Sequence, residues 1–257
     1  MGIEKDLRKI CENVSRELVL LPTENDNKDN KSNLTTNLIF PVYKNDKKEA
    51  RISEQESRIL FCREIEKYNE ENKQYHYAIE VPTASKYCFT GKIQRDSKGQ
   101  SALSDLSLFS RTSNSGIRTF KQIVNIEFKA HNVGISHIMK DLLKLAAEPA
   151  HGLFFHTLKN INKGTLNNEG RNKGILDKYR KIKAYKGEFQ KLFDREEKFI
   201  LFAICIIEKK VLLMKTLRKS NLSSIDNIDN FFSINYDKAC ETDPPEHNND
   251  WIQINFN

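Results

Sequence analysis

Apolar residues near the start of the chain recur three and four apart. Ile3, Leu7, Ile10, Val14 and Leu18 fall on one stripe, which predicts an amphipathic helix, in need of a partner surface, to about residue 20. Residues 22–37 hold almost nothing apolar and are crowded with Asn, Asp, Lys, Ser and Thr, so they read as a linker, and an organised domain is expected from about Ile39. A second helical pattern runs from Ser53 to about Tyr68 with Ile52, Ile59, Leu60 and Ile65 as its apolar members; Ser53 and Glu56 have capping-box spacing. Residues 75–81 and 86–92, rich in aromatic and β-branched side chains and separated around Pro82, predict two strands.

Leu106 and Leu108 alternate with Asp105 and Ser107, which predicts a strand, while the Ser, Thr, Asn and Gly of residues 110–119 predict a loop. Val124, Ile126 and Phe128 alternate with Asn125, Glu127 and Lys129, so the first set faces a core and the second projects from the opposite face. Ile138, Leu142, Leu145 and Ala146 have helical spacing, and the apolar run 152–156 reads as a buried strand. Residues 199–207 and 211–217 flank Glu208-Lys209-Lys210 and predict a hairpin that extends the sheet. The expected organisation is an N-terminal helix and linker over 1–38, an α/β domain over 39–217, and a weakly structured tail over 218–257.

Composition narrows the class. With 38% hydrophobic residues, 15 Phe and 30% charged residues, the 257-residue chain can bury a core and is not disordered throughout. The longest apolar run is far below the roughly 20 residues that span a bilayer, so no membrane partner is expected. The first residues mix charges with spaced apolar side chains and do not resemble a signal peptide, which makes the cytoplasm the expected location. Cys11, Cys62, Cys88, Cys205 and Cys240 form no CxxC pair and read as reduced core filler. The net charge of +7 is mild and unevenly spread: residues 159–198 are basic and the tail is acidic.

Candidate chemistry lies on the two central strands. If they pair as a hairpin, Asp105 and Glu127 converge on one hard cation, with Lys129 on the same face. A divalent ion lowers the pKa of a bound water and screens phosphate charge, and an ammonium beside it steadies a phosphoryl transition state. In these residues the chain resembles the PD-(D/E)XK nucleases. The resemblance covers less than half the chain and implies a restriction-endonuclease-like core, in which a mixed central sheet flanked by helices follows the order α-β-β-β-α-β between about residues 53 and 158. It implies that Asp105 and Glu127 bind Mg²⁺, for which Mn²⁺ substitutes, that the Phe128 carbonyl adds a ligand, and that Lys129 orients the nucleophilic water. Many members add a Glu from the first helix; Glu56 is placed there because it shares a face with Ile52, Ile59 and Leu60, whereas Glu54 is turned away. Ser104 stands where the family's proline precedes the first carboxylate. The implied activity is phosphodiester hydrolysis by an endonuclease acting on DNA more than RNA, with genome defence as a setting.

Spacing alone is weak support. An acidic residue two before Lys recurs at Asp26, Asp29, Asp46, Glu71, Asp96, Glu196 and Glu208, and only the Glu127 instance sits in an apolar strand. The competing reading of Asp105, Glu127 and Lys129 is a cross-strand ion pair on a solvated face, and that of Glu56 is a helix cap. Glu80 is a candidate supporting carboxylate and His131 a candidate substrate contact. Lys178, Arg180, Lys181 and Lys183, with Tyr179, Tyr185 and Phe189 interleaved, are candidates for tracking a nucleic-acid backbone, the alternative being a solvated helix face. The N-terminal helix and acidic tail would suit docking onto a protein partner, and a homodimer would suit cutting both strands. Two rivals stand beside the nuclease: a catalytically inactive nucleic-acid-binding or assembly subunit on the same fold, and an α/β interaction protein with no nucleic-acid role.

Overall fold

A computed structural model describes residues 2–25, 36–45, 49–72, 75–89, 94–114, 117–161, 165–166, 174–185, 197–220, 228–234 and 251–257. The helices are α1 (Ile3–Leu18), α2 (Glu54–Asn72), α3 (Ile135–Ala147), α4 (Ile175–Arg180) and α5 (Ile228–Phe231). The strands are β1 (Tyr75–Cys88), β2 (Gln94–Arg95), β3 (Gln100–Asn114), β4 (Ile117–Ala130), β5 (His151–Leu158), β6 (Phe199–Ile206), β7 (Val211–Arg218) and β8 (Ile252–Asn255). All lie in one sheet, ordered β2-β1-β3-β4-β5-β6-β7-β8. β1, β3 and β4 run antiparallel as a meander, β5 lies parallel to β4 and β6 parallel to β5, and β7 and β8 return antiparallel. The parallel β4–β5 step needs a crossover, which α3 supplies. The architecture is α/β, a mixed sheet flanked by helices.

Both faces of the sheet are covered. Leu7, Ile10, Val14 and Leu18 of α1 join Leu60, Phe61 and Ile65 of α2 over Leu106, Leu108, Val124, Ile126 and Phe128. On the other face, Ile138, Leu142 and Leu145 of α3 and Tyr179 of α4 pack on Phe154, Ile200, Phe202 and Ile204. β6 is therefore buried along its whole length. The same double cover changes β4: Asn125 and Glu127, expected on an open polar face, are each 1% exposed. The partner surface that α1 requires is α2 and the β6–β7 hairpin; Arg8 bridges Glu4 and Thr216 of β7, and the Tyr75 hydroxyl donates to Asp6 at 2.5 Å.

Several elements differ from expectation. The two strands expected around Pro82 are one strand, β1, whose register against β3 shifts between Pro82 and Lys86. At that irregularity the Ala84 and Ser85 N–H groups donate to the buried Glu148 carboxylate at 2.8 and 3.0 Å, and the Tyr87 hydroxyl joins them at 2.9 Å. The expected loop over 110–119 is largely strand, because β3 and β4 extend well into it. Ile59 is 46% exposed; the buried stripe of α2 runs through Ser57, Leu60, Phe61, Glu64 and Ile65. The end of the expected loose tail is strand β8, paired to β7 and preceded by the fully buried Trp251. The linker residues 26–35, the basic residues 186–196 with Phe189, Lys92, Cys240 and the tail over 235–250 lie outside the described residues.

Candidate active site

β3 and β4 pair as far as Leu106 opposite Ile126. One step further stand Asp105 and Glu127, and there the ladder ends: β4 continues against β5, while β3 continues against β1. The parting leaves backbone groups without strand partners, and side chains fill the fork. The Phe128 N–H donates to Asp105 Oδ2 at 2.9 Å. Lys144, rising from α3, donates to the Leu103 carbonyl at 2.9 Å and to Glu127 Oε2 at 2.8 Å. Glu127 Oε1 is buried with no hydrogen-bond partner.

The two helical layers meet at this fork. From α3, Asp141 bridges Lys144 at 2.9 Å and Lys129 at 2.7 Å. Lys129 also donates to the Phe128 carbonyl at 2.8 Å. From α2, Arg58 reaches Asp105 at 3.0 Å and Glu80 at 3.7 Å, and Glu54 lies 3.7 Å from Lys129. Burial is the main force raising the Glu127 carboxyl well above its usual range; the charges of Asp141 and Asp105 add to it, and Lys144 opposes it. Burial pulls the Lys144 and Lys129 ammonium groups down, but their carboxylate partners more than offset this, so both remain cationic. Glu54 is raised, first by burial and then by Asp105 and Asp141, against Lys129.

Asp105, Glu127 and Lys129 thus fall in one connected cluster. Glu56 does not join it. Its Oε2 accepts from the Ser53 N–H at 2.8 Å and the Ser53 hydroxyl at 2.6 Å, which makes it the cap of its own helix. Glu54, expected to be turned away, is the α2 carboxylate at the cluster. The reason is rotation: with Ile59 on the solvent side, residues 54 and 58 face the fork. Glu80 touches the cluster through Arg58 but is 61% exposed. His131 is engaged structurally: its Nε2 bonds the Ile52 carbonyl at 2.6 Å, and its own carbonyl accepts from His156 Nε2 at 2.6 Å.

The cations of the expected phosphate track are engaged within the protein to different degrees. Lys178 donates to Asn132 and to the Val133 carbonyl. Arg180 binds Asp177 and the carbonyls of Asp229 and Phe232, and Lys183 binds Asp229 at 3.3 Å. Lys181 and Lys183 are both exposed, and the Tyr185 side chain lies outside the described residues. Of these four cations, Lys178 and Arg180 tie α4 to its neighbours, while Lys183, in the 3-10 turn that follows α4, makes only an exposed ion pair.

Four residues of the cluster escape strand periodicity: Glu54, Arg58, Asp141 and Lys144. Their signal is helical, an acid and a base four apart on α2 and three apart on α3. Asp141 and Lys144 in particular are charged yet buried, among Leu142, Leu143 and Leu145 of α3. As a metal site the donor set is small. Among the described residues no three Asp, Glu, His or Cys side chains converge to cage an ion. Magnesium, however, commonly uses one or two carboxylates and completes its octahedron with water and substrate oxygens. Asp105, the unpartnered Glu127 Oε1 and the Phe128 carbonyl are hard oxygens of that kind, and four carboxylates here face three cations. The residues present fit a hydrated divalent ion. Among the described residues no helix is long and apolar enough to cross a membrane. Compared with protein-family models, curated protein sequences and solved structures, the chain gives no match.

Proposed function

We propose that this chain is a metal-dependent nuclease of the restriction-endonuclease-like fold, hydrolysing phosphodiester bonds, with DNA the favoured substrate. The observation that carries the reading is the fork itself: where β3 and β4 part, Asp105 and Glu127 sit side by side, a carboxylate oxygen of Glu127 is left buried and unpartnered, and Lys129 is held beside them. The succession α2-β1-β3-β4-α3-β5, an antiparallel meander followed by a helical crossover to a parallel strand, supports the fold assignment.

In this reading Asp105, Glu127 and the Phe128 carbonyl hold Mg²⁺ or Mn²⁺, which would supply a water of lowered pKa and charge for the phosphate. Lys129 is a fixed cation, not a base: Asp141 holds it protonated and the Phe128 carbonyl aims it. Its ammonium steadies the negative charge that builds on the phosphoryl group. Glu54 and Asp141 keep the two layers registered around it.

A specific observation favours one other reading. Lys144 already neutralises Glu127, and Arg58 already neutralises Asp105, so the cluster is also intelligible as a metal-free ion-pair network in an inactive nucleic-acid-binding or assembly subunit. Incubation with duplex and single-stranded DNA and RNA in Mg²⁺ or Mn²⁺ separates the two. The nuclease reading expects cleavage by wild type, abolished by EDTA and lost in Asp105→Ala and Lys129→Ala. Undiminished cleavage in both variants contradicts it.

A further inference from the structure

Arg58 differs from the other two cations of the cluster. Lys129 and Lys144 are each anchored to a main-chain carbonyl, Phe128 and Leu103, and share Asp141. The described contacts of Arg58 are to two carboxylates alone, Asp105 at 3.0 Å and the far weaker Glu80 at 3.7 Å. Its side chain is only 15% exposed, yet its Nε is buried without a hydrogen-bond partner. Glu80 itself is 61% exposed and sits at φ +53°, beside the point where β1 passes Asp105. An ion pair held at one end only, with a donor unused, is poised for a second arrangement.

We propose that Arg58 is a placeholder for the divalent cation on Asp105 and, once displaced, binds the substrate phosphate, so that metal and nucleic acid load the site together. The proposal rests on reading Asp105 and Glu127 as metal ligands. A cation on Asp105 would remove the main partner of Arg58, and the guanidinium fork, with its Nε free, matches the two oxygens of a phosphodiester better than an ammonium does. Lys129 and Lys144 cannot make this exchange without giving up their carbonyl anchors. Before metal arrives, Arg58 neutralises Asp105 in a partly buried site where a lone carboxylate would be costly. Arg58 is therefore both competitor of the metal and ligand of the phosphate, and its removal should move the two affinities in opposite directions.

Two titrations on the full chain test this. Mn²⁺ binding is read from the free-ion paramagnetic resonance signal, and the binding of a fluorescent single-stranded DNA oligonucleotide is read by anisotropy in Ca²⁺ and in EDTA. Arg58→Gln should bind Mn²⁺ roughly fivefold more tightly than wild type, the scale of a lost part-exposed ion pair. It should also lose most of the Ca²⁺-dependent gain in oligonucleotide affinity. Arg58→Lys, which keeps the charge without the fork, should bind Mn²⁺ like wild type and recover only part of that gain, whether or not the Gln variant folds. Mn²⁺ binding by folded Arg58→Gln that is unchanged or weaker overturns the proposal, as does an undiminished Ca²⁺-dependent gain. Wild type that binds no Mn²⁺, or binds it no better than Glu127→Gln, removes the metal reading as well, a failure distinct from one confined to Arg58.

Discussion

Glu127 shows how strongly its surroundings govern a single charged residue. A carboxylate 1% exposed survives in the sheet because Lys144 lies 2.8 Å away and is itself held by Asp141 and the Leu103 carbonyl. Lys144→Met should therefore cost about 3–5 kcal/mol, the scale of a buried charge left without its partner, and the double variant with Glu127→Leu should recover most of the loss. Urea unfolding of wild type and these two variants checks this; a single-variant cost near zero would show that the pair does not hold the fork together. His156 makes a second residue-scale case. Buried between the Tyr179 hydroxyl and the His131 carbonyl, it is held neutral, its pKa lowered to about 3 chiefly by burial. The unfolded chain takes up a proton near pH 6.5 that the folded chain refuses until about pH 3, so this residue's contribution to stability falls as the pH drops through that window. Between pH 7 and pH 5 the expected loss from this group is about 2 kcal/mol, and the same comparison in His156→Gln should lack it.

At the scale of elements, periodicity succeeds where one environment acts along a whole segment. The stripe of α1, the apolar run of β5 and the β6–β7 hairpin are visible because each is buried evenly. β1 is not, because Pro82 reads as a break while the chain instead bulges and hands its loose N–H groups to Glu148, some sixty residues away. The outer β3–β4 hairpin is missed because Ser- and Thr-rich strands carry no apolar alternation. β8 is missed because two isoleucines in an Asn-rich stretch are too short a pattern. Its importance is testable: Trp251, 1% exposed in the core under β7, should cost about 3–5 kcal/mol when replaced by Ala, measured by thermal or urea melting. A cost below about 1 kcal/mol would mean that β8 merely rests on the sheet edge.

At the scale of the molecule, the candidate site is the place where two helical layers and a splitting sheet meet. Asp105, Glu127 and Lys129 were readable because they belong to strands whose alternation assigns them a common face. Glu54, Arg58, Asp141 and Lys144 were not, because only the packing of α2 and α3 over opposite faces brings them to one fork. The error over Glu56 has the same origin: a rotation of α2 set by Phe61 and Ile65, and not by Ile59, decides which carboxylate looks inward. A metal-dependent nuclease here would need the unpartnered oxygen of Glu127 as a metal ligand. The most direct test is anomalous diffraction from a crystal of this protein soaked in Mn²⁺. A metal-dependent nuclease should show a manganese peak in contact with Asp105, Glu127 and the Phe128 carbonyl; a well-ordered site with no peak there, and Lys144 and Arg58 still closing both carboxylates, would contradict that function.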